Sequence, residues 1–268
     1  MRHARTLAIV FLTGLAVACL LADQLAPSGY EHQYRDIPGA GPSRQHLLGT
    51  DDMGRDRFAR VLYGTRVSLL LAPTAAFIST LLAVVIGGTA GLVAGWLERS
   101  IVAAIDLVLS LPWLFLLIAV RALLPLNVSP LNSAMITFAI LGCLGWAAAA
   151  RLISAHVHSV RASDFMLLAR ACGSGGFRLL GRQLLPNLMP LLRAQFWISI
   201  PAFILAEANL GVLGLGVSEP LPSWGSLLRE LESYSGLAWN PCQLVPLVLL
   251  VAVVGCFHFL VSDGEVPA

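Results

Sequence analysis

The sequence predicts an all-α, polytopic membrane protein of about six transmembrane helices. Three observations carry that expectation. Of its 268 residues, 57% are hydrophobic and only 12% charged, with a mean hydropathy of +0.79, far from the balance of a soluble domain built around one core. Uncharged runs long enough to cross a bilayer recur along the chain, separated by polar stretches. The length accommodates roughly six spans of about 20 residues each, with modest loops between them. A net charge of +2 gives no reason to expect a nucleic-acid partner.

Residue chemistry excludes several functions. All 17 Lys and Arg positions are arginine. Without lysine the chain can neither hold a phosphate-binding P-loop nor form a Schiff base, so nucleotide hydrolysis must occur on another polypeptide. Cys19, Cys143, Cys172, Cys242 and Cys256 are scattered, mostly in apolar runs, and no two form a C-x-x-C pair; they read as small buried hydrophobes. No catalytic residue and no metal site is expected. His156 and His158 are two apart and do not share a helix face.

Taken in order, residues 1–5 are basic and 6–22 form an uncharged run of marginal spanning length, which fits a signal peptide or a first transmembrane helix. The chain soon returns to the membrane, so a retained helix with its N-terminus inside is expected. Residues 23–66 are the longest polar stretch and read as an extracytoplasmic loop. Its arginines, Arg35, Arg44, Arg55, Arg57, Arg60 and Arg66, count against that side, because the positive-inside rule counts basic residues rather than net charge. The orientation is kept because Arg2, Arg5, Arg99, Arg151 and the arginines of the central loop all fall inside with it.

Residues 67–97 carry no charge, and Gly87, Gly88, Gly91 and Gly95 in their second half suit close helix packing. After a tight inner turn at 98–100, residues 101–120 form a third span containing Asp106 and the break Leu111-Pro112. An acid in a span is a functional candidate. Asp106 lies near the inner turn, however, and pairing with Arg99 as a structural anchor is the expected role. An outer loop at 121–132, a fourth span at 134–150 ending at Arg151, a fifth span at 191–217 with Glu207, and a last span at 244–261 follow. Glu207 either binds a cation or faces a polar pathway, or it bonds to a neighbouring helix near the outer end; the second is preferred. In the outer loop at 218–240, Leu227, Leu228 and Leu231 predict a short amphipathic piece lying on the membrane surface. The tail from Asp263 to Ala268 falls inside.

Between the fourth and fifth spans lies a polar interruption, residues 163–187, with its own pattern. Phe165, Leu168, Ala169 and Cys172 recur at helical spacing, residues 173–176 break the helix, and Phe177, Leu180 and Leu184 resume it up to Pro186. Arg161, Arg170, Arg178, Arg182 and Arg193 against the single acid Asp164 place this stretch in the cytoplasm. Spacing alone suits two uses, a plug for a partner's groove or a helix resting on lipid headgroups.

Several segments together resemble the inner-membrane permease subunits of ATP-binding-cassette (ABC) importers for dipeptides, oligopeptides and nickel. The run Leu48, Gly49, Thr50, Asp51, Asp52, Met53, Gly54, Arg55, Asp56 resembles that family's L-G-T-D-x-x-G-R-D signature. Asp106 with Leu111-Pro112, Glu207-Ala208 before Leu213-Gly214-Leu215-Gly216, and Pro222-Ser223-Trp224-Gly225 match further family patterns in order. The central loop is similar to the family's coupling motif, with Leu167, Leu168 and Ala169 where it has E-A-A, then Gly173, then Leu184, Leu185 and Pro186. Leu167 replaces the motif's glutamate, so any polar contact made by that glutamate is absent here.

The resemblance implies the architecture of a type I ABC importer permease in the cell inner membrane. Residues 1–66 would form an N-terminal helix plus extracytoplasmic loop. Residues 67–268 would form a permease core of five helices with a coupling loop at 154–190. It also implies a second permease subunit, two ATP-binding subunits carrying ATP and Mg, and an extracytoplasmic solute-binding protein, with both termini cytoplasmic and no cofactor in this chain. Peptides are the first expectation for cargo and nickel the second. An ion-driven secondary transporter would need more intramembrane ionisable groups and an internal repeat; a non-transporting membrane assembly protein is the other alternative.

Overall fold

The computed structural model describes residues 2–123, 128–164, 168, 184–232 and 241–262. Among these residues helix predominates, the main exceptions being the loops at 26–56 and 213–223. The order is α1 (Arg2–Leu20), α2 (Ala22–Leu25), α3 (Arg57–Leu92), α4 (Trp96–Ser110), α5 (Trp113–Leu123), α6 (Pro130–Leu144), α7 (Trp146–Arg161), α8 (Leu185–Val212), α9 (Trp224–Arg229) and α10 (Val245–Ser262). Among the described residues five stretches are long and apolar enough to cross a membrane, or six if the bent α4–α5 pair counts as one span.

The spine of the bundle is α3, with 36 residues. Asp56 starts it: the side chain accepts a hydrogen bond from the Ala59 N–H at 2.8 Å, satisfying one of the donors that every helix leaves free in its first turn. Along its second half α3 lies against α7 with small residues at the contact. A Cβ at Gly87 would strike the Ala150 carbonyl oxygen, and one at Gly91 would come within 2.6 Å of Val157 Cβ. The approach therefore depends on the missing side chains. α6 and α8 pack on the first half of α3, where Ala72, Ala75, Ala76, Phe138, Leu141, Ile200 and Ile204 form the larger core.

The third span is not one helix. α4 and α5 meet at 89° across Leu111-Pro112. Pro112 has no N–H to give and disfavours helical backbone at Leu111, which is extended at φ −82°, ψ 131°. The fourth span does not end at Arg151: after a junction at Gly145, α7 carries the chain on to Arg161. The 213–232 region also departs from expectation. Its helix α9 does not lie on the membrane surface; Trp224 is wholly buried and Leu227 nearly so, packed against α3 and α8. Among the described cysteines only Cys19 is buried, and Cys143 is exposed.

Candidate functional site

The signature before α3 folds into a knot of charge. Asp51 is its centre: Oδ1 accepts the backbone N–H of Met53 at 2.9 Å and of Arg55 at 2.7 Å, and Oδ2 accepts from Arg55 Nε at 2.6 Å. Thr50 Oγ1 donates to the Ile37 carbonyl at 2.6 Å and accepts the Ala40 N–H at 2.9 Å, tying the proline- and glycine-rich half of the loop to the signature. Asp56 caps α3 with one oxygen and meets His46 Nδ1 at 2.7 Å with the other. Gly49 and Gly54 both adopt φ +76°, and a Cβ on Gly54 would drive into the Tyr34 backbone.

The knot reaches across the fold. Arg55 donates to Glu219, which follows α8. Arg60, fully buried in the first turns of α3, donates to Glu230 Oε1 at 2.9 Å and Glu219 Oε1 at 3.3 Å, and it lies 3.4 Å from Asp51 Oδ2. Burial works against the charge of Arg55, yet hydrogen bonds to Glu219 and Asp51 raise its pKa above the usual arginine value. Burial alone would raise the Glu219 carboxyl, but the hydrogen bond from Arg55 and the charges of Arg60 and Arg55 bring it below the ordinary carboxylate range. Glu230 goes the other way: burial pushes it up, and Arg60 only partly offsets this. A cleft of about 340 Å³ opens beside the knot, lined in part by Asp51, Arg57, Glu219 and Arg229.

A second polar node lies just beneath. Glu207 on α8 is fully buried against Ser68, Ser223 and the Gly225 backbone; Ser68 Oγ donates to its Oε2 at 3.4 Å. The Trp224 N–H donates to Ser68 Oγ at 3.4 Å, and Trp224 Nε1 donates to Thr65 Oγ1 at 2.9 Å. Ser223 caps α9 with a reciprocal Ser223–Ser226 capping box. Backbones meet here as well, since a Cβ on Gly225 would lie 2.7 Å from Gly211 Cα. Glu207 and Trp224, 17 residues apart in sequence, thus fasten α3, α8 and α9 together, the acid through Ser68 of the neighbouring helix.

Asp106 stands elsewhere. Its partner is not Arg99 but Arg151 on α7, at 2.9 Å, with both side chains about half exposed. The pairing follows from α7 continuing past Gly145, which places Arg151 alongside α4. In the coupling stretch Leu167, Ala169 and Gly173 lie outside the described residues. Leu168 is 65% exposed, so its apolar side chain is presented outward rather than to the chain's own core. Leu184 is buried with Leu188, Ile105, Ile153 and Val157 in a second core cluster, while Leu185 is exposed and Pro186 occupies the first turn of α8.

Three features were not legible from sequence. Glu219 and Glu230 complete the knot, but they lie more than 150 residues from Arg55 and Arg60, and no local pattern marks them. Arg121, expected at the start of a loop, is instead fully buried in α5, donating to Ser133 Oγ at 3.1 Å and the Gly216 carbonyl at 3.4 Å. Arg161 ends α7 and donates to the Leu92 and Val93 carbonyls at 2.8 and 3.1 Å, capping the far end of α3.

Comparison with known proteins places these features in context. Residues 83–262 match the family described as binding-protein-dependent transport system inner membrane component. A di/tripeptide transport system permease protein of Pseudomonas aeruginosa is 33% identical over 96% of this chain and 84% of its own length. A dipeptide transport system permease protein of Alkalihalophilus pseudofirmus is 32% identical over 96% of this chain and 82% of its own. An oligopeptide transport system permease protein of Haemophilus influenzae is 28% identical over 96% and 80%. Among solved structures, an inward-facing MetNI methionine ABC transporter superposes with a TM-score of 0.57 at 19% identity, covering 77% of this chain and 94% of that one.

Proposed function

Because the chain belongs to the family of binding-protein-dependent transport system inner membrane components, we propose that it forms the membrane pathway through which an ABC importer carries dipeptides and oligopeptides. The observation that carries this reading is similarity over nearly the whole chain to permeases named for di-, tri- and oligopeptides. Cargo arrives on an extracytoplasmic solute-binding protein, a second permease subunit closes the pathway, and two ATP-binding subunits supply the energy, with ATP and Mg bound to them and not to this chain.

In this reading the charge knot lies on the extracytoplasmic face and residues 154–190 on the cytoplasmic face, with both termini inside. The exposed Leu168 supports the use of that loop as a plug for an ATPase groove. Closure of the ATPases pulls the loop, and the paired permeases rock to expose their shared cavity outward. The role of this chain is positional; it performs no covalent step.

The test is uptake of a labelled dipeptide and tripeptide by cells carrying the complete transporter, with and without this chain. Uptake should require it; equal uptake without it refutes the reading. The orientation is checked separately. In a cysteine-free background, Ser43→Cys should be labelled by an impermeant thiol reagent applied outside, and Ser174→Cys should not. The reverse pattern overturns the topology.

A further inference from the structure

The bend at Leu111-Pro112, where α4 and α5 meet at 89°, faces the junction of α6 and α7 at Gly145, and both border one groove. At Gly145 the space of a missing side chain is taken by Phe203 of α8: a Cβ there would lie 2.5 Å from Phe203 Cζ. One and two turns away on α8 stand Ser199 and Gln195. Together these elements line a groove of about 470 Å³, within the range of small-molecule sites.

The chemistry of the groove is selective. Its walls are apolar, with Val108, Trp113, Leu144, Ile198 and Phe203 among them, and no ionisable side chain lines it. Its polar side chains are Gln195 and Ser199. Gln195 Nε2 donates to Ser199 Oγ at 3.1 Å, and Ser199 Oγ donates to the Gln195 carbonyl at 2.8 Å, an arrangement that holds the amide in place. Ser199 is 95% buried, whereas Gln195 is partly exposed, and its side-chain oxygen and second N–H make none of the hydrogen bonds just described. An amide in an apolar helix is costly if it faces hydrocarbon, so this face needs a polar occupant.

We infer that this groove is the part of the pathway that holds the cargo, with Gln195 recognising a peptide main chain and Ser199 positioning it. A side-chain amide offers one acceptor and a donor, matching a peptide unit without reference to its side chains. The apolar walls take side chains of many shapes by contact alone. A bare metal cation finds no anionic or imidazole ligand in this lining, and a phosphate finds no cation. The inference rests on the importer reading above and gives it a recognition residue.

The experiment uses the complete transporter in proteoliposomes, with labelled trialanine as probe. Gln195→Leu should raise KM for uptake about three- to tenfold, the worth of one neutral hydrogen bond. Gln195→Asn should recover part of the loss. Ala202→Cys, on the groove wall in a cysteine-free background, should react with a water-soluble thiol reagent and be slowed by trialanine. Wild-type KM in Gln195→Leu overturns the inference. So does Ala202→Cys that is unreactive because it faces lipid, or that cross-links to the second permease without protection by peptide. If the wild-type transporter carries no peptide at all, the importer reading fails instead, and the two failures are distinct.

Discussion

Arg60→Met tests the charge knot most directly. The guanidinium lies within 3.4 Å of Asp51, Glu219 and Glu230 and is itself fully buried. Removing one partner of a buried pair leaves the other charge uncompensated, at a cost of about 3–5 kcal/mol. Two considerations lower that figure. Arg55 still holds Asp51 and Glu219, and the Glu219 side chain is 50% exposed, so water screens it. The loss falls mainly on Glu230, whose side chain is 27% exposed, and about 2–3 kcal/mol remains. For a chain of this size that corresponds to a fall of roughly 5–10 °C in Tm. The assay is thermal unfolding of the purified transporter in detergent for Arg60→Met, Glu230→Gln and the double variant. The double variant should lose less than the two single losses combined, because the two side chains act in part through the same contact. A shift below about 2 °C for Arg60→Met, or strictly additive losses, would refute this account of the knot.

Two further predictions follow from the same geometry. Glu219 titrates below its ordinary value when folded, so its stabilisation is full above about pH 4.3 and is lost as pH falls through the lower folded value. Glu230, raised by burial, has the opposite sign and relaxes first on acidification. Tm should therefore hold or rise slightly as pH drops towards about 4.3 and fall below it, and Glu219→Gln should flatten that acid limb; an unchanged limb would exclude Glu219 as its source. Arg161→Ala removes the two hydrogen bonds that tie the start of the coupling stretch to the last carbonyls of α3. It should cost about 1 kcal/mol of stability, and peptide uptake per ATP hydrolysed should fall severalfold; an unchanged ratio would remove Arg161 from the transmission path.

The spans were legible because hydrocarbon leaves a chain little choice: a long uncharged run must satisfy its own backbone, and helix is the way to do so. Asp56 as a cap, Pro112 as a break and Gly87 and Gly91 as contact points are local effects, and each is visible in its own stretch of sequence. Pairings were not legible. Asp106 was assigned to Arg99 because the two are close in sequence, whereas the helix that continues past Gly145 delivers Arg151. Leu227 looked like a surface residue because amphipathic spacing reveals an apolar stripe but not what covers it, and here α3 and α8 do. Trp224 was matched as part of a family pattern; its role in fastening α9 to Thr65 and Ser68 needed the fold.

The distribution of fasteners along the bundle bears on how it can move. At the signature end, the charge knot and the Glu207–Trp224 node join α3, α8, α9 and the long loop through buried polar contacts that are costly to break one at a time. At the opposite end Asp106–Arg151 is half exposed, and such a pair is worth about 1 kcal/mol or less. Between them α4 and α5 meet at 89°, so that span is not one continuous rod, whereas α6 and α7 run on as one span through Gly145. In the proposed reading a pull on residues 154–190 would meet least resistance at Leu111-Pro112. That break borders the Gln195 groove, so motion that reaches it would reshape the groove while the knot stays closed.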